Sequence, residues 1–248
     1  MNYQKENIKT IERWIEEDGW KWGKPIDHET YLKAKEGNYD IVLTPIKSVP
    51  HSWLGDLKGK RVLGLASGGG QQMPILVALG GICTVFDLSE LQLASEKLVA
   101  DREGYNIEIV KGDMTKPLPF KDEEFDIIFS PVSYCYIEGL EPLFRECYRI
   151  LKKGGRFMFG ADNAINYLTN DEEKIVNSFP FNPLKNEEQR KLLIEDDCGY
   201  QFSHTLEETL GIPLKIGFKL LDMYEDTNDE GRLFELNIPT YVAFLFEK

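Results

Sequence analysis

Two rhythms of apolar and polar positions run along this chain of 248 residues. Ile8, Ile11, Trp14 and Ile15 recur at three- and four-residue intervals and predict an N-terminal helix. A second helix and a loop with two prolines are expected over residues 30–54. Arg61 to Ala66 then forms a short apolar run, suited to a strand buried on both faces. Ser67-Gly68-Gly69-Gly70 breaks it, and Gln71 to Leu79 resumes with helical spacing. Pro74 lies near that helix's start, where a missing N–H costs little. Gly80-Gly81 ends the helix, and Ile82 to Phe86 is a second run closed by Asp87. Further on, Ser89 is placed to cap a helix to Ala100, and Ile107–Val110 and Phe125–Phe129 read as strands. Leu140 to Leu151 reads as a helix with a basic last turn, stopped by Gly154-Gly155, before a fifth strand from Arg156 to Gly160. Strands alternating with helices predict a parallel sheet that binds ligands at the carboxyl ends of its strands.

The alternation stops after residue 162. Residues 163–215 carry acidic and helical stretches, three prolines (Pro180, Pro183, Pro213) and the polar segment FSHTLEETLG. They are too long for a simple connection and are expected to cap the ligand edge. Phe218–Tyr224 and Tyr241–Phe246 are strand-like and predict a terminal antiparallel strand pair completing a seven-stranded sheet. The expected division is an N-terminal helical cap segment (1–54), a ligand-binding core (55–162), a cap insertion (163–215) and the last two strands (216–248).

Composition narrows the functional classes. Asp and Glu number 42 against 29 Lys and Arg, for a net charge of −13, so the basic face needed to displace counterions from nucleic acid is not expected. The polar, charged N-terminus does not resemble a signal peptide, and no apolar stretch of about 18 residues predicts a membrane span. The four cysteines form no C-x-x-C pair and read as reduced, buried thiols of a cytoplasmic protein. Three histidines without a close Cys/His/Asp cluster give no metal site.

The chemistry concentrates in residues 61–87: strand, glycine turn, helix, strand, acid, the plan of a nucleoside-binding unit. Glycines let a backbone approach a ligand, and an acid ending the second strand can hold ribose hydroxyls. A dinucleotide fingerprint needs a third glycine where Met73 stands, and no Lys-Ser/Thr pair follows the turn as in a phosphate-binding loop.

Four stretches in this order resemble the class I S-adenosylmethionine-dependent methyltransferases: VLGLASGGG, TVFDLS, KGDMTKPLPFKDEEFDIIFS and YRILKKGGRFMF. LASGGGQQ and the late FSHTLEE look like a bacterial subgroup of them. The resemblance implies an α/β fold, a Rossmann-like seven-stranded sheet with helices on both faces and a helical cap. It also implies S-adenosylmethionine as cofactor and S-adenosylhomocysteine as product. By resemblance, Ala66, Ser67, Gly68, Gly70, Gln71, Gln72, Leu88 and Ser130 would lie against the cofactor. Asp87 would bind the ribose hydroxyls, Asp113 the adenine amine, and Met114 would pack on the ring. Two positions depart from the family pattern. Gly64 replaces the first-strand acid, which leaves Ser67, Gln71 or Gln72 to orient the loop, and Ala66 replaces the first glycine.

Methyl transfer from a sulfonium needs alignment, desolvation and sometimes a base. His204 and Tyr134 are the chosen catalytic candidates, with Tyr136, His51 and Asp162 also considered. Trp20, Trp22, His51 and Tyr136 are the candidates for substrate binding. The expected function is methyl transfer to a small molecule by a monomer or homodimer. The rival readings are a non-catalytic cofactor-binding protein and a nicotinamide-dependent oxidoreductase.

Overall fold

The computed structural model describes residues 2–17, 20–170 and 174–248. Among these, one sheet contains β1 (Arg61–Leu65), β2 (Ile82–Asp87), β3 (Glu108–Lys111), β4 (Phe125–Ser130), β5 (Leu151–Asp162), β6 (Lys219–Asp226) and β7 (Tyr241–Glu247). Their spatial order is β3-β2-β1-β4-β5-β7-β6. β1 to β5 are parallel, and β7 runs antiparallel to both of its neighbours. The strand order reverses between β1 and β4, and such a switch point opens a crevice at the strand ends. The longer helices are α1 (Tyr3–Glu16), α2 (His28–Lys35), α3 (Gln72–Ala78), α4 (Glu90–Glu103), α5 (Glu141–Ile150) and α6 (Glu187–Glu195).

Both faces of the sheet are buried, which explains why its central strands read as continuous apolar runs. Val62, Met73, Leu76, Val85, Leu93, Phe129 and Met158 pack on the face carrying α3 and α4. Leu63, Leu65, Ile128, Phe144, Phe157, Phe159, Phe244 and Phe246 pack on the face carrying α5. Successive residues of β1, β5 and β7 alternate between these clusters, as a pleat requires. The seven-stranded architecture and the antiparallel late strands follow the sequence reading. Ser89 does cap α4, its hydroxyl accepting from the Gln92 N–H at 3.3 Å.

One boundary differs. α5 ends at Ile150 and β5 begins at once, so Gly154-Gly155 lies inside a strand rather than after a helix. The ladder with β4 jumps from Phe125↔Leu151 to Ile127↔Arg156. The looped-out backbone still pairs, Gly154 N–H donating to Lys248 O at 2.8 Å and Lys248 N–H to Gly155 O at 3.1 Å. Gly154 has φ 72°, which makes it the residue suited to this irregularity.

α1 and the segment after α6 meet above the strand ends. The buried Asn7 side chain donates to Tyr200 O at 3.0 Å and accepts from Tyr200 N–H at 2.6 Å. The Tyr3 ring packs edge-on against Phe202, centroids 5.2 Å apart. No helix among the described residues is long and apolar enough to cross a membrane.

Candidate functional site

A cavity of about 380 Å³ opens at the carboxyl ends of β1 to β5. Its floor is the turn after β1, where four backbone N–H groups are tied down: Ala66 to Phe86 O (2.8 Å), Gly68 to Asp87 Oδ2 (2.9 Å), Gly69 to Gln92 O (2.9 Å) and Gly70 to Glu96 Oε1 (2.7 Å). Ala66 holds φ 49°, a left-handed conformation that glycine adopts more cheaply. At Gly68 a Cβ would sit 2.6 Å from Gln92 Cβ and 3.0 Å from Asp87 Oδ2, so the turn lies flat on the next strand and helix.

Gly70 has a different role from the one expected. It does not line the cavity: a Cβ there would meet Ser95 O at 2.8 Å and Pro25 Cβ and Val99 Cγ2 at 2.9 Å. This glycine admits close packing beneath the turn. Gly64 is a packing site too, since a Cβ there would run into the Met73 thioether, with Cγ only 2.9 Å away. Met73 occupies the volume in which a first-strand acid would have to start.

The sequence reading passed over Glu96, the acid that orients the turn. It lies on α4 one turn after Gln92, is fully buried, and holds Gly70 N–H while its other oxygen has no partner among the described residues. Burial pushes its carboxyl up to about 8, with the neighbouring Asp87 charge adding to the rise and the Gly70 N–H opposing it. Its signal was an acid in register with the buried positions Gln92, Val99 and Ala100.

Asp87 and Asp113 face the cavity from the ends of β2 and β3. Burial raises the Asp87 carboxyl, against the backbone N–H groups of Ser89, Gly68 and Leu88. Its oxygens accept from Gly68 and Ser89, the latter at 3.0 Å. Asp113 Oδ1 is held by the Thr115 N–H at 2.8 Å and hydroxyl at 2.7 Å, while Oδ2 has no hydrogen-bond partner among the described residues. Leu88 and Met114 stand beside them. Ser67, Gln92 and Ser133 also line the cavity, and Ser67 Oγ, Gln92 Oε1 and Ser133 Oγ are buried without a partner among the described residues.

Gln71 and Gln72 face the cavity, yet their amides serve the N-terminal segment. Gln71 Nε2 donates to Lys21 O (2.5 Å) and Lys24 O (2.8 Å), and Gln72 Oε1 accepts from Val42 N–H at 3.1 Å. They dock residues 21–42 beside the turn. Trp20, Trp22 and Tyr136 also line the cavity.

Four other candidates lie away from the lining. Ser130 is wholly buried, its hydroxyl donating to Leu65 O at 2.8 Å and so strapping β4 to β1. His51 is exposed, contacts Tyr39 O through Nε2 at 3.1 Å and stacks on the Tyr39 ring, outside the cavity. His204 is buried and donates from Nε2 to Tyr134 O at 2.9 Å. Burial pushes the His204 ring below its usual range, against the nearby Glu208 charge and the Tyr134 carbonyl. Tyr134 packs on Phe144 and Phe159 in the core. In this geometry His204 ties the late part of the cap to the segment after β4, and neither His204 nor Tyr134 lines the cavity.

The side of the cavity away from Asp113 was largely missed. Asp162 ends β5 and is 4 % exposed, and Tyr167, Gln201 and Tyr241 stand around it as lining residues. They are far apart in the sequence, and only Asp162 carried a hint, as an acid at a strand end.

The residues present suit an adenosine ligand: two acids on adjacent strand ends, a turn pressed flat by its glycines, and buried hydroxyls with no partner among the described residues. The methyltransferase domain family matches residues 63–159. The chain is 37% identical over 235 residues to the uncharacterized methyltransferase YbaJ of Bacillus subtilis, a match covering 92% of this chain and 91% of that protein. Sterol and ubiquinone methyltransferases also match, over less than two thirds of their own length. Among solved structures, the S-adenosylmethionine-dependent methyltransferase of Mesorhizobium loti is similar in fold, with a TM-score of 0.65, 20% identity and coverage of 80% of this chain and 95% of that one.

Proposed function

The chain belongs to the class I methyltransferases, and from that premise we propose that it methylates a small molecule bound beside Asp162. The family's cofactor is S-adenosylmethionine, which when bound supplies a methyl group already activated on a sulfonium. Asp87 would hold the ribose hydroxyls, and Asp113 would hold the adenine amine. Leu88 and Met114 pack against the ring, and Ser67 and Ser133 offer hydroxyls to the amino-acid end. Asp87, Asp113 and Asp162 are the acids of the cavity lining, with no Lys, Arg or His among its described residues, so its field favours a ligand with net positive charge. Such a field disfavours nucleic acid and other phosphate-rich acceptors.

Residues 55–162 and 216–248 act as the cofactor-binding sheet, while segments 1–54 and 163–215 close over it and choose the acceptor. Trp20, Trp22 and Tyr136 belong to that closing wall. The protein's share of the chemistry is alignment and exclusion of water.

The observation that carries this reading is the pair Asp87 and Asp113 at neighbouring strand ends, one held by the glycine turn and the other leaving an oxygen free. Calorimetry with S-adenosylhomocysteine and with NADH tests it. Saturable binding of the first and none of the second is expected, and the reverse pattern overturns the reading in favour of a nicotinamide enzyme.

A further inference from the structure

Asp162 is a buried acid that the cofactor assignment leaves unused. It ends β5 across the ladder from Tyr241, its register partner on β7, and both line the cavity. One carboxylate oxygen accepts from Ala164 N–H at 2.9 Å, which fixes the side chain. Asp162 makes no ion pair and no hydrogen bond to another side chain among the described residues. The rest of the subsite is aromatic and hydroxylic. Tyr167 donates to Gln201 Oε1 at 3.0 Å, and Tyr136 stands on the same wall. Cys135 completes it, and no Lys, Arg or His side chain lines any part of the cavity among the described residues.

Resting on the methyl-transfer reading, we propose that Asp162, Tyr136, Tyr167 and Tyr241 form the acceptor subsite. The subsite takes a molecule without carboxylate or phosphate, whose N–H or O–H is the nucleophile, and Asp162 is the catalytic base. An anionic acceptor would meet a buried carboxylate and no cationic side chain among the described residues, at a desolvation cost that nothing in the lining offsets. An amine or hydroxyl instead donates to Asp162 with its body against the tyrosine rings, which also favour a cation. In the step, the acceptor atom bonds to the methyl carbon as the carbon–sulfur bond breaks with its electron pair left on sulfur. The acceptor's proton passes to Asp162. Burial places the Asp162 carboxyl at about 7, where it can both take and release a proton near neutrality. The groups facing it, Cys135, Tyr167 and Tyr241, are all raised by burial and stay uncharged there, as does Tyr136 on the same wall.

The test screens matched fragment pairs by saturation-transfer NMR against protein loaded with S-adenosylhomocysteine, for example tyramine against tyrosine and catechol against 3,4-dihydroxybenzoate. Non-anionic members should predominate among the hits, and Asp162→Asn, which retains the acceptor for Ala164 N–H, should weaken them at least tenfold. Turnover of the best hit should fall roughly a hundredfold in kcat in Asp162→Asn, with KM changed far less, and should lose the rise toward pH 7. Equal binding of the anionic members, an empty screen, or an unaltered Asp162→Asn overturns the proposal. S-adenosylhomocysteine binding separates the two levels: unchanged affinity in Asp162→Asn isolates the acceptor subsite, whereas no binding by the natural protein overturns the methyltransferase reading itself.

Discussion

On the β1–β4 side of the cavity, the polar groups come from residues within a few positions of a strand end, and backbone N–H groups fix most of them. On the β5–β7 side the wall combines Tyr136, Asp162, Tyr167, Gln201 and Tyr241, brought together only by folding, while α1 and residues 20–22 reach across to α4 and the glycine turn. The first side is a rigid grip that one βαβ unit can specify. The second is an assembly of added segments, free to change without disturbing the grip. Such a division lets one sheet serve different reactions, because the added segments can vary while the strand ends keep their grip.

The sharpest way to break this contrast is to disturb the packing under the grip. Gly64→Asp must displace Met73 and bury an unpaired charge in a strand covered on both faces, and should cost about 3–5 kcal/mol in urea unfolding. Part of that loss should be recovered in the double variant with Met73→Ala. The other departure behaves oppositely. Ala66→Gly relieves a positive φ and should stabilise by about 1 kcal/mol. A tolerated Gly64→Asp would mean that the first strand is not packed as described, and would revive a vacant acid site.

Next in size is the grip itself. Asp87→Asn keeps an acceptor for Ser89 or Gly68 and removes the charge, so S-adenosylhomocysteine affinity should fall by about 1.5–3 kcal/mol. Asp87→Ala is a less clean test, because Asp87 is half-buried and bonded to its own turn. Unchanged affinity in folded Asp87→Asn protein would remove the ribose assignment.

These two cases also show which parts of the site were legible. The parallel strands, Asp87, Asp113 and the glycine turn could be read because each lies on a short stretch with its own period and punctuation. Glu96 could not be read as part of the turn, because its partner is 26 residues away and an acid on a helix usually faces water. His204 lies away from the cavity lining for the converse reason. A histidine in a polar segment suggests chemistry, but the fold buries it against the Tyr134 carbonyl. Tyr167, Gln201 and Tyr241 reach the cavity through long-range contacts that no local pattern encodes.

Glu96 gives a pH test of the link between α4 and the turn. Its carboxyl keeps its proton to about pH 8 in the folded protein, against an ordinary value near 4.5. Between those pH values the folded state binds more protons than the unfolded chain, so this group's contribution falls as pH rises through the window and is level above it. Urea midpoints of Glu96→Gln and the natural protein should therefore diverge in the variant's favour by roughly 1–3 kcal/mol between about pH 5 and pH 8.5. A pH-independent difference would show that Glu96 is ionised in place.

The smallest effect on the grip, and the most selective for the wall, should come from Asn7. It is the buried stitch between α1 and the segment around Tyr200, with two hydrogen bonds to that residue's backbone. Asn7→Ala removes both and should destabilise this contact by about 1–2 kcal/mol, since each bond contributes on the order of 1 kcal/mol net. The loss should be felt first in these two segments, since the bonds removed join them directly. Hydrogen exchange should therefore quicken in both segments together, while residues 62–115 keep their protection and S-adenosylhomocysteine affinity changes by less than about threefold. Adding the product cofactor to the natural protein should slow exchange in the same two segments, as closure over the ligand demands. If Asn7→Ala weakened cofactor binding as much as Asp87→Asn, the wall and the grip would be one cooperative unit, and the division between them would fail.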